Sequence, residues 1–87
     1  MKRIEVKSDN IKSIGYNSEN VTLEVEFHSK KEGKPTRIYQ YTPFTSGGYT
    51  MLMTAKSKGK FFWKFIRDNS DIKYVQVDEK GNKIEKS

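Results

Sequence analysis

The sequence predicts an α+β fold: a small antiparallel sheet of four to six strands with a broken helix pair packed on one face. Three observations predict it. Val21, Leu23, Val25 and Phe27 alternate with Thr22, Glu24, Glu26 and His28, the period of a strand with one apolar and one wet face. Phe61, Phe62, Phe65 and Ile66 repeat at helical spacing. The strand-like runs come first and the helix-like runs follow, rather than alternating with them, so the helices cover one face of an antiparallel sheet. With 87 residues the chain is one domain with a modest core.

The elements follow in order. Residues 3–7 form a short strand with Ile4 and Val6 on one face, closed by the turn cluster Ser8-Asp9-Asn10. Residues 11–16 are a second strand of imperfect alternation, in which Gly15 marks a bulge or a close backbone approach. After the turn Asn17-Ser18-Glu19-Asn20 comes the strand 21–28, then a solvated hairpin loop at 29–35. Residues 36–42 return as a strand rich in Thr36, Ile38, Tyr39, Tyr41 and Thr42, ended by Pro43. Thr45 or Ser46 caps a helix weakened by Gly47 and Gly48 and carried by Tyr49, Leu52, Met53 and Ala55. Ser57-Lys58-Gly59 interrupts it, with Gly59 as a left-handed C-cap or Ser57 as the N-cap of a continuing helix. That helix carries the phenylalanine stripe and stops at Asp68-Asn69-Ser70-Asp71. Residues 72–78 form a further strand, 78–82 a turn, and 82–86 a weak edge strand.

The composition narrows the function classes. Hydrophobic residues make up only 33% of the chain, yet 13% is aromatic, and aromatic content with clear alternation argues for a folded domain over a disordered one. There is no cysteine, which fits a reducing compartment. Lys2 and Arg3 imitate the start of a signal peptide, but Glu5, Lys7 and Asp9 interrupt any apolar run behind them. No stretch reaches the ~20 apolar residues of a membrane span, so the expectation is a cytoplasmic protein.

Catalytic machinery is not visible. His28 is the sole histidine and lies on the polar strand face, so it is read as an ordinary exposed side chain rather than a base. Cys and His ligands are too few for a structural zinc site. Glu24 and Glu26 share a strand face, read as solvated. Gly47-Gly48 lacks the Gly-Lys-Ser/Thr continuation of a phosphate loop. No cofactor, metal or catalytic residue is expected.

The net charge is +6, a balance that suits a polyanionic partner. From Phe44 to Arg67 the chain holds Lys56, Lys58, Lys60, Lys64 and Arg67 and no acid. On a helix, Lys60, Lys64 and Arg67 fall at i, i+4 and i+7, opposite Phe62, Phe65 and Ile66, with Trp63 on the basic side. Their mutual repulsion is relieved by phosphates, and Trp63 is placed to stack on a base. The bland reading is a solvated lysine face with Trp63 folded against the sheet. Tyr39 and Tyr41 share a strand face with Arg37. They form a second stacking platform, or, as the bland reading has it, pack beneath the helix.

Taken together, certain stations in this chain resemble those of the KTSC domain. These are Val6-Lys7-Ser8-Asp9-Asn10-Ile11, Ile14-Gly15-Tyr16-Asn17, Leu23-Glu24-Val25-Glu26-Phe27, Tyr39-Gln40-Tyr41, Pro43, Ala55-Lys56-Ser57-Lys58-Gly59-Lys60-Phe61-Phe62 and Ile66-Arg67. The KTSC domain is a short module named for the C-terminus of certain lysyl-tRNA synthetases. It also occurs as stand-alone small proteins of bacteria and phages. The resemblance spans about residues 6–67, with 68–87 as a C-terminal strand or hairpin extension of the same domain. Trp63 departs from the family pattern, where a small polar residue, often Asn, is usual. Thr42 stands where Val is usual before the proline. The resemblance implies a small binding domain, and its attachment to a tRNA-charging enzyme suggests RNA.

Two functions follow as expectations. The first is a non-enzymatic nucleic-acid-binding module for RNA or single strands. Lys56, Lys58, Lys60, Lys64 and Arg67 neutralise phosphates, and Trp63, with Tyr39 and Tyr41, stacks on bases. The second is a protein-interaction module, such as a phage protein engaging an acidic host factor with Trp63 as its anchor.

Overall fold

The computed structural model describes residues 2–29 and 31–84. Five antiparallel strands run in the order of the chain, β1 (Ile4–Glu5), β2 (Ile11–Asn17), β3 (Thr22–Phe27), β4 (Arg37–Thr42) and β5 (Lys73–Val77), as a simple meander. Between β4 and β5 lie helix α1 (Ser46–Thr54), helix α2 (Lys58–Phe62) and a π-helical turn, Trp63–Arg67, that continues α2. Leu52 of α1 and Phe62 and Ile66 of the second helical segment pack on Ile11, Ile14, Leu23, Val25 and Tyr41 of the sheet. The fold is α+β, with the broken helix on one face of the sheet.

Local chemistry explains the helix break. The Thr45 hydroxyl accepts a 3.0 Å bond from the Gly48 amide and starts α1. Ala55 turns extended and ends it. Ser57 then caps α2, its hydroxyl accepting from the Lys60 amide at 3.3 Å. Gly59 is therefore not a left-handed C-cap. It lies inside α2, buried under the Ser8–Asn10 loop, and a Cβ there would meet the Asn10 side-chain nitrogen at 3.4 Å and the Ser8 hydroxyl at 3.6 Å.

The second strand resolves its own irregular pattern. Ile11 pairs with Phe27 and Ser13 with Glu26, so two steps on β2 oppose one on β3, which is a bulge. It brings Ile11 and Ile14, three residues apart, into one core and leaves Ser13 on the other face. Gly15 is not the bulge but a close approach: a Cβ there would lie 2.8 Å from the Lys2 carbonyl oxygen and 3.0 Å from Arg3 Cγ. The first strand is shorter than expected, and Ile4 is exposed rather than paired with Val6 in the core.

The reading of Glu24 and Glu26 as a solvated face is overturned. Glu24 is only 2% exposed. Arg3, admitted by the missing side chain at Gly15, crosses the sheet and donates to Glu24, while Gln40 donates to its other oxygen at 2.9 Å. Glu26 accepts from Ser13 at 2.7 Å and from Thr36, with Arg3 at 3.8 Å. Burial alone raises the Glu26 carboxyl. The Thr36 and Ser13 hydrogen bonds, with the charges of Arg3 and Lys12, outweigh it and hold the group below its ordinary value. The second face of the sheet is thus a satisfied polar layer rather than a wet one.

Val21 also departs from the expected apolar face. It is exposed and adopts φ +47°, a left-handed conformation that costs a β-branched residue about 1–2 kcal/mol. Its carbonyl is held there by the Phe44 amide at 2.8 Å and the Thr42 hydroxyl at 3.3 Å. Asn tolerates this conformation, so Val21→Asn is expected to raise stability by about 1 kcal/mol. A thermal melt reads this as a rise of roughly 4–8 °C; an unchanged or lower midpoint would show that the turn does not hold that conformation in solution.

At the C-terminal end, β5 pairs along β4, from Ile38 opposite Val77 to Thr42 opposite Lys73. The chain turns at 78–82 and returns through a single bridge between Val77 and Lys83. Of the expected strand 82–86, residues 85–86 lie outside the described residues. Among the described residues, no helix is long and apolar enough to cross a membrane.

Candidate functional site

The site grows from the alternation of β4. Its odd positions, Arg37, Tyr39 and Tyr41, project toward the helices, and the β4–β5 register sets Tyr74 directly opposite Tyr41. Tyr74 has its ring centroid 6.1 Å from both tyrosines of β4. Tyr41 is buried with its ring 5.2 Å from that of Phe62 in an edge-to-face contact, and Tyr39 meets Phe27 in the same manner at 6.0 Å. Tyr41 is therefore core, packed beneath the helix, and is not a free stacking platform. Burial pushes its hydroxyl up, Tyr39 and Tyr74 add to the shift and Arg67 opposes it, so the phenol stays protonated at neutral pH. Tyr39 is partly exposed and Tyr74 is 69% exposed, because the helices do not cover the β5 side of the sheet.

The helix supplies the opposite wall. Phe62 and Ile66 point into the core, but Phe65 does not: it is 49% exposed and rests on Phe61, 4.8 Å between centroids. The expected stripe assumes α-helical spacing throughout. The turn from Trp63 to Arg67 is π-helical, and its wider turn rotates Phe65 off the buried side. Trp63 is 46% exposed. The Arg67 guanidinium lies 3.6 Å from its ring centroid, a stacked cation–π pair. Trp63 is thus not folded against the sheet.

Between these walls lies an open hollow of about 560 Å³, lined by Tyr39, Tyr41, Tyr74, Trp63, Arg37 and Arg67, with His28, Asp9 and Asp68 also at its margin. A second, shallower hollow of about 520 Å³ lies between the Lys7–Asn10 loop and the start of α2, lined by Lys7, Lys56, Lys58 and Lys60. Trp63, Asp9 and Asn10 line both. The five basic residues expected to neutralise phosphates together are therefore divided. Arg67 belongs to the first hollow and Lys56, Lys58 and Lys60 to the second, while Lys64 lines neither and sits 5.4 Å above the Phe65 ring.

Across both hollows six cationic side chains, Arg37, Arg67, Lys7, Lys56, Lys58 and Lys60, face two carboxylates, Asp9 and Asp68. Every ion pair among the described residues belongs to Arg3, on the other face of the sheet. The described residues thus neutralise none of the six directly. No group of three metal-ligating side chains is present among the described residues.

Sequence reasoning missed Tyr74, Lys7 and Asp9 as site residues. Tyr74 carries no local signal, since only strand register brings it to Tyr41. Lys7 and Asp9 join through the loop that packs over Gly59. Arg37 was legible, two residues before Tyr39 on the same strand face.

A meander sheet with a broken helix on one face, and an open hollow between its exposed aromatics, defines a small α+β domain. The chain belongs to the KTSC domain family, whose family model matches residues 7–69. The crystal structure of a KTSC domain protein from Yersinia pestis superposes with a TM-score of 0.75 at 30% identity, covering 88% of this chain and 97% of that one. No curated protein matches.

Proposed function

We propose that this KTSC domain is a non-enzymatic, cytoplasmic module that binds single-stranded nucleic acid, RNA or DNA, at the two hollows. The observation that carries the reading is Trp63: half exposed, with Arg67 stacked on it, at the mouth of a hollow walled by Tyr39 and Tyr74. Exposed aromatics beside unpaired cations suit a strand whose bases are free to stack and whose phosphates need neutralising. A duplex hides its base faces and would use only the charges.

Trp63 is the sole tryptophan, so its fluorescence reports on the site directly. Titration with single-stranded RNA or DNA oligonucleotides is expected to quench it with micromolar affinity. Raising the salt should weaken binding steeply as counterion release loses its advantage. A duplex hairpin should bind more weakly than the single strand. Unchanged fluorescence at low salt, or quenching indifferent to salt, counts against nucleic acid. If an acidic peptide then quenches Trp63 where nucleic acid does not, the ligand is an acidic protein surface.

A further inference from the structure

The two hollows differ in chemistry and meet at Trp63, Asp9 and Asn10. The larger has aromatic walls and arginines; the smaller has four lysines and no aromatic ring apart from Trp63. Asp9 stands where they join, and a carboxylate repels phosphate while accepting hydrogen bonds from base amino groups. A strand crossing this seam meets a surface suited to a base on one side and to backbone on the other.

We infer that the hollows form one track with divided labour, which deepens the nucleic-acid reading and rests on it. The larger hollow takes an unpaired base against Trp63 and Tyr74. The lysine hollow takes the phosphates that follow it along the strand. The ligand is therefore a run of linked nucleotides, and a mononucleotide fills only half of the site. The lysines contribute affinity only to a ligand long enough to pass Trp63.

The geometry supports the division in a second way. Lys56 and Lys60 are exposed side chains, and only the backbone amide of Lys60, not its ammonium, serves the Ser57 cap. Their charges are free to act without a role in holding the helix. Replacing both by glutamine removes phosphate contacts while leaving the base hollow and the fold intact.

The test compares adenosine monophosphate with an adenylate tetranucleotide on the wild-type chain and on Lys56→Gln/Lys60→Gln, reading Trp63 fluorescence and its salt dependence. The wild type is expected to bind the tetranucleotide about tenfold or more tightly than the mononucleotide. In the double variant that advantage should shrink toward parity. The slope of log K against log salt should become shallower by about 1.4, at roughly 0.7 per lost phosphate contact on a single strand. Mononucleotide quenching should fall by less than tetranucleotide binding does. An equal loss for both probes, or an advantage that survives the double variant, overturns the divided track while leaving nucleic-acid binding in place. A wild-type protein that responds to neither probe nor to longer oligonucleotides overturns both.

Discussion

Arg3→Met is expected to lower the unfolding free energy by about 3 kcal/mol, the low end of the cost of leaving one member of a buried ion pair alone. Glu24 is sealed in the sheet, and its only charged partner among the described residues is Arg3. Without the guanidinium the carboxylate keeps a single hydrogen bond, from Gln40, and Glu26 loses a nearby cation as well. Domains of this kind hold a margin of only about 5–15 kcal/mol, and the loss should appear as a fall in melting temperature on the order of 10–20 °C. The diagnostic is the double variant Arg3→Met/Glu24→Met. An apolar pair of similar volume avoids the desolvation that a lone carboxylate suffers, so the double variant should recover to within about 1 kcal/mol of the parent. If Arg3→Met melts with the parent, or the double variant is no better than the single, the polar layer does not hold the N-terminal strand in the way described.

Trp63→Ala is the change with the largest expected effect on binding. Stacking of a base on an aromatic ring is worth about 1–3 kcal/mol by alanine substitution, a loss of roughly 5- to 150-fold in affinity. The variant has no tryptophan to observe, so the measurement is fluorescence anisotropy of a labelled single-stranded oligonucleotide. Trp63→Phe should retain part of the affinity, because the smaller ring keeps a stacking face. Neither change should move the melting temperature by more than about 0.5 kcal/mol equivalent, since Trp63 stands outside the core cluster. That separation distinguishes a contact residue from a packing one. Tyr41 is the counter-case: buried against Phe62, its truncation should unfold the protein before it informs on binding. A Trp63→Ala protein that binds with parental affinity removes the stacking contact on which the proposed function depends.

Much of the fold was legible because it rests on local periodicity. The Leu23, Val25 and Phe27 alternation, the Thr45 and Ser57 caps, and the Phe62 and Ile66 spacing each express a preference that neighbouring residues impose on the backbone. The motif residues from Ala55 to Phe62 were also legible as a unit. Their physical meaning was not, because Gly59 is buried beneath Ser8 and Asn10, half the chain away. The errors share one cause. Glu24 looked solvated because its partner Arg3 lies 21 residues distant. Phe65 looked buried because a π-helical turn leaves no mark in hydrophobic spacing. Ile11 and Ile14 looked out of phase until a bulge put them together.

By itself, then, the sequence determined the class of fold, the order of its elements, the family, and the excess of positive charge from Phe44 to Arg67. These follow from backbone preferences and composition, which act over a few residues at a time. Tertiary structure alone decided which charges face solvent together and which are consumed. It buried Glu24 under Arg3, divided four of the five expected cations between two hollows and left Lys64 outside both, and set Tyr74 beside Tyr41 through strand register. The physical reason is that a site is a coincidence of side chains from distant segments, and only the closing of the sheet and the seating of the helix bring those segments within reach of one ligand.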